Sequence, residues 1–188
     1  MRQNRATLAA AGSKILPLDP HKASWSMNSM MYGSSTINAT AQVDGTLSDL
    51  GNKIPVTISR STTTATVTFP TANPHTLGGT SDYIVISGTG SSNLDGTFVV
   101  ASVTNDTVLT YTVANTGAST ATGYAVPVRF METVIASAAV SATAPAIPAV
   151  TTTSSDLYHT PWTGLILKCT SYTTGTIYLD TVQTGIWG

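Results

Sequence analysis

The sequence predicts an all-β chain built on an antiparallel β-sandwich behind an extended N-terminal arm, and three observations lead there. Short runs in which Thr alternates with Val, Ile, Ala or Phe recur from residue 33 onward, the period of two that marks strands with one buried face. Turn formers (Gly, Pro, Asn and Asp) punctuate these runs at short intervals. No helical period is sustained, and only residues 6–11 (ATLAAA) have the composition of a short helix.

Residues 1–32 show neither period. In the string LPLDP at 16–20 each proline pushes its predecessor toward extended geometry, so this stretch should run as an arm. At 36–43, Ile37, Ala39, Ala41 and Val43 share one face while Thr36, Asn38, Thr40 and Gln42 share the other; Asp44-Gly45 reads as the following turn. Ala65, Val67 and Phe69 alternate with threonines until Pro70 ends the run. Residues 82–87 (DYIVIS) are continuously apolar, as in a strand covered on both faces. Gly88, Gly90 and residues 93–96 supply the next loop, and 97–103 and 107–113 flank Thr104-Asn105-Asp106 as a hairpin. Two more strands are expected at 124–130 and 133–140, with Pro127 confining the first to an edge or a bulge. Residues 141–155 (SATAPAIPAVTTTSS) read as a linker or surface-hugging loop. A terminal hairpin is expected from 163–171 and 176–183 around Tyr172-Thr173-Thr174-Gly175.

Composition narrows the function. At 188 residues there is room for one sandwich or two small β modules. Charged residues are only 9% of the chain, against about a quarter in ordinary domains, and Ser plus Thr supply about three residues in ten. A surface so poor in charge is weakly protected against association, which points to a protein that ends in an assembly. Secreted Thr-rich sandwiches of the adhesin kind share this composition. The first 30 residues contain no apolar run of signal-peptide length, so export by that route is not expected. No apolar stretch is long enough for a membrane-spanning helix. Net charge of −1 gives no whole-chain case for nucleic-acid binding. The start of the chain is nonetheless basic, with Arg2, Arg5, Lys14 and Lys22 against Asp19 alone. Cys169 is the single cysteine and is expected as a small core residue.

Catalytic chemistry finds little to work with. The histidines are His21, His75 and His159, and no HExxH, P-loop or GxSxG occurs. The short Gly88-Thr89-Gly90 leads into loop and strand rather than a phosphate-binding helix. Asp156 and His159 could be combined with any of dozens of hydroxyls into a triad, which shows how little such an inventory means. Acidic residues are scattered singly, and Asp44, Asp95 and Asp106 read as turn formers. The expectation is a non-enzyme with no cofactor and no metal. Interface anchors are the alternative use for its large side chains. Trp25, Trp162 and Trp187 with Met27, Met30 and Met31 are candidates, joined by Leu16 and Leu18 of the arm and the basic Arg2, Arg5 and Lys14. Tyr32 and Tyr178, in or beside expected strands, read as core filling.

Two sets of residues carry a resemblance. The segment ILPLDPHKASWSMNSMMYGSSTINATAQVDGTLSDL (15–50) and the terminal TGLILKCTSYTTGTIYLDTVQ (163–183) together resemble a family of small tailed-phage virion proteins whose two parts make one β-sandwich. Between them, residues 63–126 resemble a small β-rich repeat of phage structural and tail proteins. The match runs through Pro74-His75-Thr76-Leu77, Ile84 to Gly88 (IVISG), Asp95-Gly96-Thr97-Phe98, Ser102-Val103, Thr110-Tyr111-Thr112 and Ala121-Thr122-Gly123. Thr76 stands where that pattern has Gly after His, and Ser81-Asp82 where it has Gly-Asp, so the turn here is expected to differ. The resemblance implies an arm at 1–32, an outer sandwich from 33–62 plus 127–188, and an inserted barrel- or sandwich-like module at 63–126. It also implies a virion protein assembled in the host cytoplasm. The leading form is a capsid decoration or cement protein, a homo-oligomer with a trimer favoured, bound to the major capsid protein or other virion proteins, without nucleic acid or membrane. Alternatives are a tail, neck or fibre component, or a receptor- or glycan-binding module, for which exposed aromatics near loop tips and a shallow polar groove would be expected.

Overall fold

The computed structural model describes residues 2–19, 27–147 and 162–183, with backbone alone for 2, 3, 27, 28 and 183. The chain is all-β with antiparallel sheets, and among the described residues there is no helix. It divides into two compact units: Met1–Leu47 with Met131–Gly188, and Ser48–Phe130.

The first unit is a sandwich. One sheet joins β1 (Arg2–Leu8), β13 (Ile177–Gln183) and β3 (Met27–Gly33) in the order β1-β13-β3. The other runs β11-β4-β12-β2, from β11 (Glu132–Ala139), β4 (Asn38–Thr46), β12 (Gly164–Thr174) and β2 (Gly12–Pro17). Alternation makes the core. Ala6, Met31, Ile177 and Leu179 from the first sheet pack with Val43, Ile135, Leu165, Leu167 and Cys169 from the second. Burial pushes the Cys169 thiol above its ordinary pKa, as suits a core cysteine.

Several expectations are corrected here. Among the described residues of the expected arm, the extended runs are built into the sandwich, because β1 pairs along its whole length with β13 and β2 with β12. The suggested helix at 6–11 is instead the end of β1 and a bend, since Ala6 and Leu8 face the core beside Leu179 and Ile177. Asp44 and Gly45 do not turn the chain; they continue β4 between β11 and β12. Gly45 is required by packing, because a Cβ there would lie 2.6 Å from the Trp162 ring. Asp44 is buried and accepts from Gln42 Nε2 (2.9 Å) and Thr133 Oγ1 (2.9 Å). The two terminal strands are no hairpin either. β12 lies between β4 and β2 while β13 lies between β1 and β3, so the chain crosses from one sheet to the other. Gly175, at φ +94, makes that corner beside the Ile37 backbone, and Thr176 exchanges hydrogen bonds with Ser34. Of the linker, 141–147 hugs the sandwich through an Ala146–Met31 bridge, and the rest lies outside the described residues.

The second unit is a closed six-stranded barrel. Its strands are β5 (Ile54–Ser61), β6 (Thr64–Thr68), β7 (Tyr83–Ser87), β8 (Gly96–Asn105), β9 (Val108–Thr112) and β10 (Ser119–Val128). They pair in the cycle β8-β7-β10-β5-β6-β9, and β9 returns to β8. The unit therefore begins at residue 48 rather than 63 and extends to 130 rather than 126. The reason is β5, whose alternating Ile54, Val56 and Ile58 fill the barrel core with Val67, Ile86 and Leu109. Pro127 behaves as an edge residue, since pairing of β10 with β5 stops at Ala125 and Pro127 faces only Ile84 of β7.

The loop from 74 to 82 contains both departures from the phage-repeat pattern, Thr76 and Ser81-Asp82. Thr76 sits at φ +53, the left-handed region where glycine is at ease, so a residue with a Cβ is held there under strain. Replacing Thr76 with Gly should raise barrel stability by about 0.5–1 kcal/mol, the relief of strain less the chain entropy of glycine. A shift of the denaturant midpoint to higher concentration at constant slope would register it; an unchanged midpoint would mean that no strain is held there.

Candidate functional site

The anchor candidates from sequence separate into three groups. Leu16, Leu18, Met31 and Trp162 are 1–7% exposed and belong to the sandwich core, so they are not surface anchors. Their apolarity is used within the chain: Trp162 fills the space left by Gly45, and Met31 pairs with Leu179. Trp25 and Trp187, the Arg2 and Met27 side chains, and Asp156 and His159 lie outside what is described. Lys14 is exposed on β2. Arg5 and Met30 remain, and the structure brings them together.

They meet on the outer face of the β1-β13-β3 sheet. Asp180 of β13 is flanked in register by Arg5 on one side and Met30 on the other. Arg5 Nε and Nη2 donate to the two Asp180 carboxylate oxygens at 2.6 and 2.7 Å, a bidentate pair. Tyr32 Oη donates to the same carboxylate at 2.8 Å and accepts from Arg5 Nη2. The neighbouring row holds the Tyr32 and Tyr178 rings, stacked at 5.1 Å, with the Arg5 guanidinium 5.3 Å from the Tyr178 centroid. Tyr32 and Tyr178 are thus half-buried on the outer face rather than core filling. Met30 is 40% exposed beside this cluster.

Electrostatics tie β1 to its neighbour. Hydrogen bonds from Arg5, and secondarily from Tyr32, hold the Asp180 carboxyl below the usual carboxylate range, and the Arg5 guanidinium is correspondingly raised. Because the folded pKa is depressed, the contribution is present above the unfolded value of about 3.9 and disappears as pH falls through the folded value. Hydrogen exchange of the β1 amides should therefore be unchanged between about pH 7 and about pH 5 and accelerate selectively below about pH 4, relative to the intrinsic rate. Asp180→Asn should remove that selective step; its persistence in the variant would assign it to another group.

Several polar groups of the barrel loops have structural partners. His75 Nε2 lies 2.7 Å from Asn105 O and Nδ1 accepts from Leu77 N–H, which fixes the ring against Phe69. Asp82 accepts from Gly78, Gly79 and Phe130 N–H. Asp95 accepts from Thr89 at both its N–H and hydroxyl, which is the loop role expected of it. No group of His, Cys, Asp or Glu among the described residues is gathered as a metal site.

A feature that sequence reading missed lies on the barrel. Tyr124 is 50% exposed at one end of a shallow trough over β10, β5 and β6, where Thr57, Thr68, Thr120 and Thr122 stand among Pro55, Pro70 and other apolar lining residues. Its signal was present in the alternation Thr120, Thr122, Tyr124, which puts the ring on the same outward face as the hydroxyls. Comparison with protein-family models, with curated proteins and with solved structures finds no match for this chain.

Proposed function

We propose that this chain is a structural component of a bacteriophage virion, a capsid decoration or cement protein that acts as a closed homo-oligomer, a trimer, on the major capsid protein. One observation carries the reading. The segments that resemble tailed-phage virion proteins, separated by more than a hundred residues in sequence, supply β2, β3, β4, β12 and β13 of a single sandwich. The segment between them that resembles a phage repeat falls in the separate barrel. The outer face with Arg5 and Met30, on a chain so poor in charge, is the kind of surface that gains by association: burying apolar area between shell subunits raises the free energy needed to part them.

Quantitative mass spectrometry of purified particles tests this. A decoration protein is present in many copies at a fixed ratio to the major shell protein. A few copies per particle would move it to the tail or neck, and absence from particles would reject a virion role.

A further inference from the structure

The outer face of the barrel carries an ordered set of hydroxyls that the fold does not use. In register across the strands, Thr122, Thr57 and Thr68 form one row, and Thr120, Ser59 and Thr66 the next. Columns are about 4.8 Å apart and rows about 7 Å, the spacings of a pleated sheet. The hydroxyls of Thr57, Thr68, Thr120 and Thr122 are exposed and have no hydrogen-bond partner among the described residues. Tyr124, opposite Pro55, heads the array. Two adjoining depressions of about 600 and 590 Å³ share Thr57, Thr68 and Thr122, so they form one trough.

The floor is kept low beside the ring. Gly88, at φ +74, lies under Tyr124, where a Cβ would sit 3.4 Å from the ring. No charged side chain lines either depression.

We propose that this trough binds a neutral oligosaccharide, with one sugar ring against Tyr124 and the following rings over the Thr57-Thr68-Thr122 row. The match is chemical. A pyranose has an apolar C–H face suited to an aromatic ring and a rim of hydroxyls that donate and accept, as threonine hydroxyls also do. An anionic ligand would find no counter-charge here, and a purely apolar one would leave the hydroxyls desolvated without partners. A trough in place of an enclosed pocket suits a chain of sugars over a single small molecule. The inference is independent of the virion reading, since it rests on the barrel alone.

The test uses the full chain, titrated calorimetrically with linear oligomers of glucose, mannose, xylose, galactose and N-acetylglucosamine, and with an oligogalacturonate as the charged control. At least one neutral oligomer should bind with Kd between about 10 μM and about 1 mM, the range of a shallow, exposed site. Tyr124→Ala should weaken that binding at least about tenfold and Thr57→Val several-fold, with the thermal midpoint unchanged because both side chains are exposed. No binding of any neutral oligomer at millimolar concentration would overturn the proposal. So would preference for the uronate, indifference to Tyr124→Ala, or self-association abolished by Tyr124→Ala with no saccharide bound, which would make the trough a contact between copies.

Discussion

Asp82→Ala is expected to destabilise the barrel by about 3 kcal/mol, because three backbone N–H groups lose one charged acceptor at once. The carboxylate is 6% exposed. Its Oδ2 holds Gly78 and Gly79 at 2.8 and 3.3 Å, and its Oδ1 holds Phe130 at 2.9 Å, beyond the end of β10. One side chain thereby fastens the loop that contains strained Thr76 to the point where the barrel strands end. Asp82→Asn keeps an acceptor for one side and should lose roughly half as much. The measurement is hydrogen exchange of β7 and β10 amides: protection should fall by more than about a hundredfold in the alanine variant. Protection within about threefold of the parent would show that water replaces the carboxylate at little cost.

Gly45→Ala is expected to cost the sandwich about 3 kcal/mol, at the upper end of overpacking penalties. The added methyl would sit 2.6 Å from Trp162 Cζ3, and neither side can yield easily. Gly45 is paired to Glu132 on one side and Leu165 on the other, while the indole is 4% exposed. A double-mutant cycle separates contact from backbone effects. In a Trp162→Ala background the same change should cost less than about 1 kcal/mol, leaving a coupling of about 2 kcal/mol. Additive effects in the cycle would place the cost of the methyl elsewhere than the indole.

These residues also show how far sequence reading reaches. Strands with clean alternation, such as 36–43, 64–69 and 97–113, were legible because a period of two has one structural meaning. Sheet membership was not: nothing near 163–183 says that β12 and β13 diverge into different sheets, since the turn at Gly175 looks like any hairpin. The first strands were missed because Arg2, Gln3, Asn4 and Arg5 are poor strand formers and their partner β13 lies 175 residues away, as the Arg5–Asp180 pair records. Asp44-Gly45 misled because the dipeptide that favours a turn here meets an indole whose position only the fold reveals. Among the anchor candidates, Leu16, Leu18, Met31 and Trp162 could not be told from surface residues, since apolarity serves a core and an interface alike. Tyr124 was legible in principle, from its phase with Thr120 and Thr122, but only once β10 was known to be half-buried.

The pairing of β1 with β13 has a consequence for how the molecule comes into being. On a ribosome, the stretch 48–130 emerges as an uninterrupted piece holding every strand of its cylinder, so it can close while translation continues. The other half must hold β1 and β3 without β13, and β4 without β11 and β12, until those later strands are made, which is a large entropic delay. Order of birth thus makes the later-encoded cylinder the first part to become native, and leaves the opening segments to wait as the exposed, association-prone stage of biogenesis.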